Sequence, residues 1–259
     1  MFRFLQNWKN QRILQRSVIT ATRWTQLFDS LPLLEGLTHL ERQRLQDLAT
    51  LFCHYKNFEG ADGLVVTESM RLTIALQACL PILHFDRNPG LDAYDGWVSI
   101  VVYPAGFAPD HVYVDAAGVE HVERRDLAGE SWLRGPVILS WEDVENPDYD
   151  EGYNLVIHEF VHKLDMQNGD ANGFPPLHKE MDTLAWTDSF QAGFEDLYRQ
   201  CELGVEREID CYAASSPAEF FAVLSESFFM RPGLLLRRYP DIYLQLSQYY
   251  RQDPARRLA

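Results

Sequence analysis

Two histidines four residues apart, with a glutamate beside the first, constrain this chain more than any other feature: His158-Glu159-Phe160-Val161-His162. On an α-helix, positions i and i+4 lie on one face. The two imidazoles can therefore ligate a single zinc ion, at about 2.0–2.1 Å per nitrogen. Glu159 stands next to them, placed to take a proton from a water that the zinc acidifies. The flanking residues drive this helix inside. Leu155, Val156, Ile157, Phe160, Val161 and Leu164 make it apolar on most sides. A buried helix rarely carries two histidines and an acid on one stripe unless something binds them. The competing reading, two surface histidines on an ordinary helix, ignores that context.

A catalytic zinc takes three protein ligands and keeps one position for water. The metzincin pattern would need a glycine at position 165 and a histidine at 168. Asp165 and Asn168 stand there, so the third ligand is expected on a later helix, as in gluzincins. The segment starting at Pro217 offers Glu219 and Glu226, seven apart and on one face over two turns. Helix grammar gives Glu219 a rival role, because Ser216-Pro217-Ala218-Glu219 reads as a capping box with proline at the first helical position. Glu226 lies among Phe220, Phe221, Val223, Leu224, Phe228 and Phe229. A buried acid there needs a partner, and it could be a ligand or a group behind one. Asp165 and Asp210 are candidates to brace the histidines, or else acids in solvent.

The remaining pattern predicts helices over 3–28, 38–56, 68–80, 154–166, 178–203, 217–230 and 240–251. The second carries a capping box at Thr38 and Glu41. Strands are expected over 60–66, 97–103, 111–114, 119–122 and 136–141, with a turn at Gly118. The turn signals suggest a small antiparallel sheet. His111 and His121 fall on two of these strands and read as structural. Asp148, Asp150 and Glu151 read as a solvated loop, or as the rim of a cleft. No repeat and no linker interrupt the chain. The fold class is α+β, one domain over 1–259 with a helical part (1–85) and a part holding the sheet and the zinc site (86–259).

Charge narrows the function classes. The 259 residues carry a formal net charge of −15, which argues against direct binding of nucleic acid through the bulk surface. Residues 1–28 run the other way, with Arg3, Lys9, Arg12, Arg16 and Arg23 and no acid. That start is a solvated helix face or a docking arm. No apolar run reaches the roughly 18 residues of a membrane span, and the start lacks a signal-peptide core. Cys53, Cys79, Cys201 and Cys211 form no CxxC pair and suggest neither a zinc knuckle nor a disulfide framework. A reduced, cytoplasmic setting is expected.

Several segments together resemble the Mlc titration factor A family of bacterial cytosolic zinc metallopeptidases. They are Ile157 to Met166, Asn168-Gly169-Asp170, Ile209 to Glu226, and Tyr249 to Pro254. The likeness implies a zincin-like fold, mainly helical, with a small sheet beside the HExxH helix and an edge strand along the cleft. It implies one zinc per chain held by His158, His162 and Glu219, with Glu159 as general base. Tyr212, seven residues before Glu219, is implied as the donor to the oxyanion. Ser216 stands where the family has an aspartate and preserves the helix cap. The implied activity is zinc-dependent hydrolysis of peptides, aminopeptidase-like. The likeness also implies binding and inactivation of the glucose-responsive repressor Mlc, and so control of sugar phosphotransferase genes. The alternative is a regulator that acts only by binding the repressor, with a structural zinc. Structural sites usually close their shell with a fourth protein ligand, often cysteine, and no cysteine lies near the HExxH helix in sequence.

Overall fold

A computed structural model describes residues 2–85, 91–105, 110–114, 120–124, 129–131, 135–204 and 208–258. The basic start forms two helices, α1 (Phe2–Arg16) and α2 (Ala21–Asp29), where one was expected over 3–28. Thr20 makes the break. Its side chain accepts from the Arg23 amide and starts a fresh helix. α3 (His39–Tyr55) opens on the expected capping box, in which Thr38 accepts from the Glu41 amide and Glu41 accepts from the Thr38 amide. β1 (Asn57–Gly60) ends where the strand over 60–66 was expected to begin. Asp62 and Gly63 then turn with positive φ, which a strand does not tolerate. α4 (Glu68–Cys79) follows as expected.

The middle of the chain holds β2 (Ser99–Tyr103), β3 (Asp110–Val114), β4 (Glu120–Arg124), β5 (Gly129–Ser131) and β6 (Val137–Ser140). The sheet has the order β1-β2-β6-β5, and its β1-β2 and β2-β6 pairs are parallel. This corrects the antiparallel expectation. α4 lies between β1 and β2 in sequence, and such a crossover returns the chain in the same direction. The turn signals mark a separate hairpin, β3 with β4, in which His111 is opposite Glu123 and His121 opposite Tyr113. The Gly118 turn lies outside the described residues. Among the described residues, β5 alone runs antiparallel to the sheet, at its edge.

The C-terminal part is helical: α5 (Trp141–Glu145), α6 (Leu155–Asp165), α7 (Thr183–Glu202), α8 (Pro217–Met230), α9 (Pro232–Arg238), α10 (Pro240–Tyr250) and α11 (Pro254–Arg257). α7 starts five residues later than expected, because Asp182 caps it at the amides of Leu184 and Ala185. α5, α9 and α11 were not expected; each is too short to show a period. Cys201 and Cys211 form a disulfide, which corrects the expectation from cysteine spacing that no disulfide framework is present.

Every residue of α6 is buried, as its composition requires. It packs on α4, α8 and β5. Phe160, between the two histidines, faces an aromatic cluster and not the site. Its ring lies 5.5 Å from Phe52, 5.3 Å from Tyr94 and 5.6 Å from Trp97. Aromatic pairs at such distances add to plain area burial. The helix is thereby fixed in rotation about its axis, with His158, Glu159 and His162 turned to α8.

Candidate metal centre

The helix that carries the histidines is started by Asn154, whose side chain accepts from the Ile157 amide. The helix that carries Glu219 is started by Ser216, which accepts from the Glu219 amide at 3.2 Å, with Pro217 at the first helical position. The cap reading of this segment holds for Ser216. The Glu219 carboxylate turns to the histidines, with Oε2 3.0 Å from His158 Nε2 and 3.4 Å from His162 Nε2. The two Nε2 atoms are 3.2 Å apart. A tetrahedral ion with ligands at about 2.05 Å would hold them about 3.3 Å apart. The three residues form a group that could hold a metal ion.

The hydrogen bonding behind the triad favours such an ion. Glu226 Oε1 accepts from His158 Nδ1 at 2.8 Å, and in the neutral ring that bond leaves Nε2 with a lone pair. This lone pair faces a carboxylate oxygen, and opposed lone pairs need a positive charge among them. Burial works against a charged His158, yet Glu219 and Glu226 hold its pKa well above the usual imidazole range. Burial likewise raises Glu219, but the bonds from the two histidines outweigh it and hold this carboxyl well below the usual range. The pocket thus draws cationic charge, as protons or as a metal.

Glu159 fits neither role. It is buried, one oxygen has no partner, and burial pushes its pKa up to about 7, against the pull of His158 and His162. A carboxyl tuned toward neutrality is suited to taking and returning a proton. Tyr212 sits on the 3-10 turn Cys211–Ala214, its ring 6.1 Å from that of His158. Burial, together with the nearby Glu219 carboxylate, pushes the phenol's pKa up. The side chain is 54% exposed, so the phenol stands at the mouth of the site.

The candidate bracing acids divide. Glu226 lies behind His158 and is no part of the triad. Its Oε2 accepts from the Asn154 amide at 2.5 Å. Asp165 Oδ2 accepts from the amides of Asn172 and Gly173 at 2.8 and 2.7 Å. Its Oδ1 and His162 Nδ1 are both buried without a hydrogen-bond partner. Asp210 is exposed and accepts from the Tyr212 amide at 2.8 Å, so it shapes the turn and does not brace a histidine. The loop after α6 matters more than its composition suggests. Gly173 has φ +77° and lies so close to Pro217 that a Cβ would stand 2.4 Å from the Pro217 carbonyl oxygen.

Three residues escaped the sequence reading. Asn154 links the start of α6 to Glu226; only its place ahead of an apolar helix hinted at a role. Gln77 of α4 accepts from Asn154 Nδ2 at 2.7 Å and is buried. No sequence signal links it to the site. Tyr153 lies near enough to Glu226, Glu159 and Tyr212 for their charges, after burial, to raise its pKa.

Known proteins match along almost the whole chain. The family described as glucose-regulated metallo-peptidase M90 matches residues 5–251. A protein named Mlc titration factor A from Escherichia coli (strain 55989 / EAEC) is 38% identical over 253 residues, covering 97% of this chain and 92% of its own. The one from Salmonella arizonae is 40% identical over 256 residues, covering 97% and 98%. The one from Serratia proteamaculans is 39% identical over 254 residues, covering 97% and 94%.

Proposed function

The chain belongs to the glucose-regulated metallopeptidase M90 family, and from that premise we propose that it is a zinc-dependent peptidase of zincin-like fold. The observation that carries this reading is the convergence of His158, His162 and Glu219 at tetrahedral spacing beside a buried Glu159 with one unpartnered oxygen. Two imidazoles and one carboxylate suit zinc, one ion per chain. When bound, zinc supplies a Lewis acid that polarises a carbonyl and acidifies water.

The chain's own residues do the rest. Glu159 takes the proton of the attacking water and delivers it to the leaving amine. Tyr212 turns its hydroxyl to the oxygen that gains negative charge. An extended peptide pairs with β5, the sheet edge that packs on α6. Glu159→Gln in the full chain tests the assignment. It should keep its zinc and lose about 10²–10⁴-fold in turnover of an aminoacyl anilide. Near-normal turnover would remove Glu159 from the mechanism.

A second activity rests on the relatives' name, which ties them to Mlc. We infer that this chain also binds the repressor Mlc through protein contacts in the cytoplasm, without touching nucleic acid. No helix among the described residues is long and apolar enough to cross a membrane. The Glu159→Gln protein should capture the repressor as wild type does. If it does not, binding and catalysis share one site.

A further inference from the structure

The Cys201–Cys211 disulfide ties the last turn of α7 to the turn that carries Tyr212. Cys211 is the residue next to Tyr212, and the two Cα atoms of the bridge are 5.8 Å apart. We propose that this bridge is a redox-sensitive positioning device: oxidised, it holds the Tyr212 hydroxyl at the metal site, and reduced, it releases it. The inference rests on the role given to Tyr212 above.

Among the described residues, packing holds this phenol loosely, because its side chain is more than half exposed. Its turn has short local bonds, from Tyr212 N to Asp210 Oδ1 at 2.8 Å, Ala213 N to Asp210 O at 3.1 Å and Ser215 N to Tyr212 O at 3.0 Å. Asp210 is exposed, so water competes for the first of these. Ala213 is the one buried side chain of the turn. The other groups of the site need no such tether. His158, Glu159 and His162 sit on a fully buried helix, and Glu219 on a capped one. Opening the bridge therefore acts on one member of the constellation alone. Both half-cystines are only partly buried, within reach of a small dithiol.

The exchange balances in two steps. A thiolate of the dithiol attacks one sulfur, giving a mixed disulfide and one cysteine thiolate. The second thiol of the reagent closes on the first and frees the other cysteine. Two electrons and two protons end on Cys201 and Cys211, and the reagent leaves as a cyclic disulfide.

The test uses the full metal-loaded chain before and after dithiothreitol, with metal content checked after each treatment. Thiol titration under denaturing conditions should rise from two, for Cys53 and Cys79, to four. Amide exchange over 210–215 should quicken, while exchange over 155–165 stays unchanged. Because a misplacement of about 1 Å can cost about 10²-fold, kcat should fall by about tenfold or more, with KM and bound metal nearly unchanged. The paired substitution Cys201→Ser/Cys211→Ser should reproduce the reduced enzyme and ignore the reagent. In Tyr212→Phe, reduction should cause no further loss. Four thiols in the untreated protein would overturn the proposal. So would unchanged exchange over 210–215, or a loss in Tyr212→Phe equal to that in wild type. A Tyr212→Phe enzyme with wild-type kcat would overturn the role given to the phenol, and the exchange data would still judge the tether.

Discussion

Replacing Glu226 by glutamine separates a brace from a ligand. The carboxylate is 2% exposed and has two acceptor tasks, one oxygen for His158 Nδ1 and the other for the Asn154 amide. A glutamine keeps the shape but has only one acceptor oxygen. If that oxygen stays on His158, the new amide group meets the Asn154 N–H, donor against donor. If it turns to Asn154, His158 Nδ1 must accept, which moves the ring proton to Nε2, the atom that a metal needs bare. Without metal the second arrangement pairs every group; a metal forces the first, which leaves the buried Asn154 N–H unsatisfied, at about 1–3 kcal/mol. Charged to metal binding, this is about 5- to 150-fold, given about 1.4 kcal/mol per tenfold. It brackets the 10–100-fold typical of groups that orient a metal-bound histidine. Glu226→Gln should thus bind zinc 10–100-fold more weakly, as read by competition with a chromophoric chelator. Glu219→Gln, a lost ligand, should bind it more weakly still. Unchanged affinity in Glu226→Gln would refute the bracing argument, and a greater loss than in Glu219→Gln would mean that the two acids have been assigned the wrong way round.

Three other outcomes are expected. Tyr212→Phe should keep zinc and KM while kcat falls by about 10²–10³-fold; an unchanged kcat with a lowered melting temperature would make the residue a packing group. Gly173→Ala should destabilise the protein by at least about 2 kcal/mol in denaturant melts, from a left-handed alanine together with overpacking at Pro217. It should also weaken zinc binding, because Pro217 opens the helix of Glu219; a wild-type melt would deny the contact. Deleting residues 1–16 should leave zinc content intact, because α1 meets the body through Gln6 and Asn10 on Tyr55 of α3, away from the site. Loss of zinc would place the basic start in the catalytic core.

Features written in neighbouring residues were legible from the sequence. The HExxH stripe, the Thr38–Glu41 box and the Ser216-Pro217 helix start each depend on spacings of three or four, which one helix turn enforces. Glu219 needed the likeness to a family, since its local pattern suited a cap equally well. What stayed hidden spans distance. The Asn154–Glu226 bond joins residues 72 apart, and the β2-β6 pairing skips a hairpin that sent the turn signals the other way. The disulfide joins a helix end to a short turn, a pairing that cysteine spacing alone does not encode.

The chain of bonds from Gln77 through Asn154 and Glu226 to His158 has a thermodynamic consequence. It begins on α4, in the helical N-terminal part, and ends on the imidazole that faces the metal. Whatever melts α4 also releases the acceptor that orients Asn154. By linkage, an ion that favours the ordered imidazole must favour the ordered α4. A ligand at about a thousand times its dissociation constant adds about 4.1 kcal/mol to the native state, and here the gain is not confined to the two helices that touch it. Stripping the ion should lower the melting point of the whole chain in a single transition, and the N-terminal helices should not outlast the site.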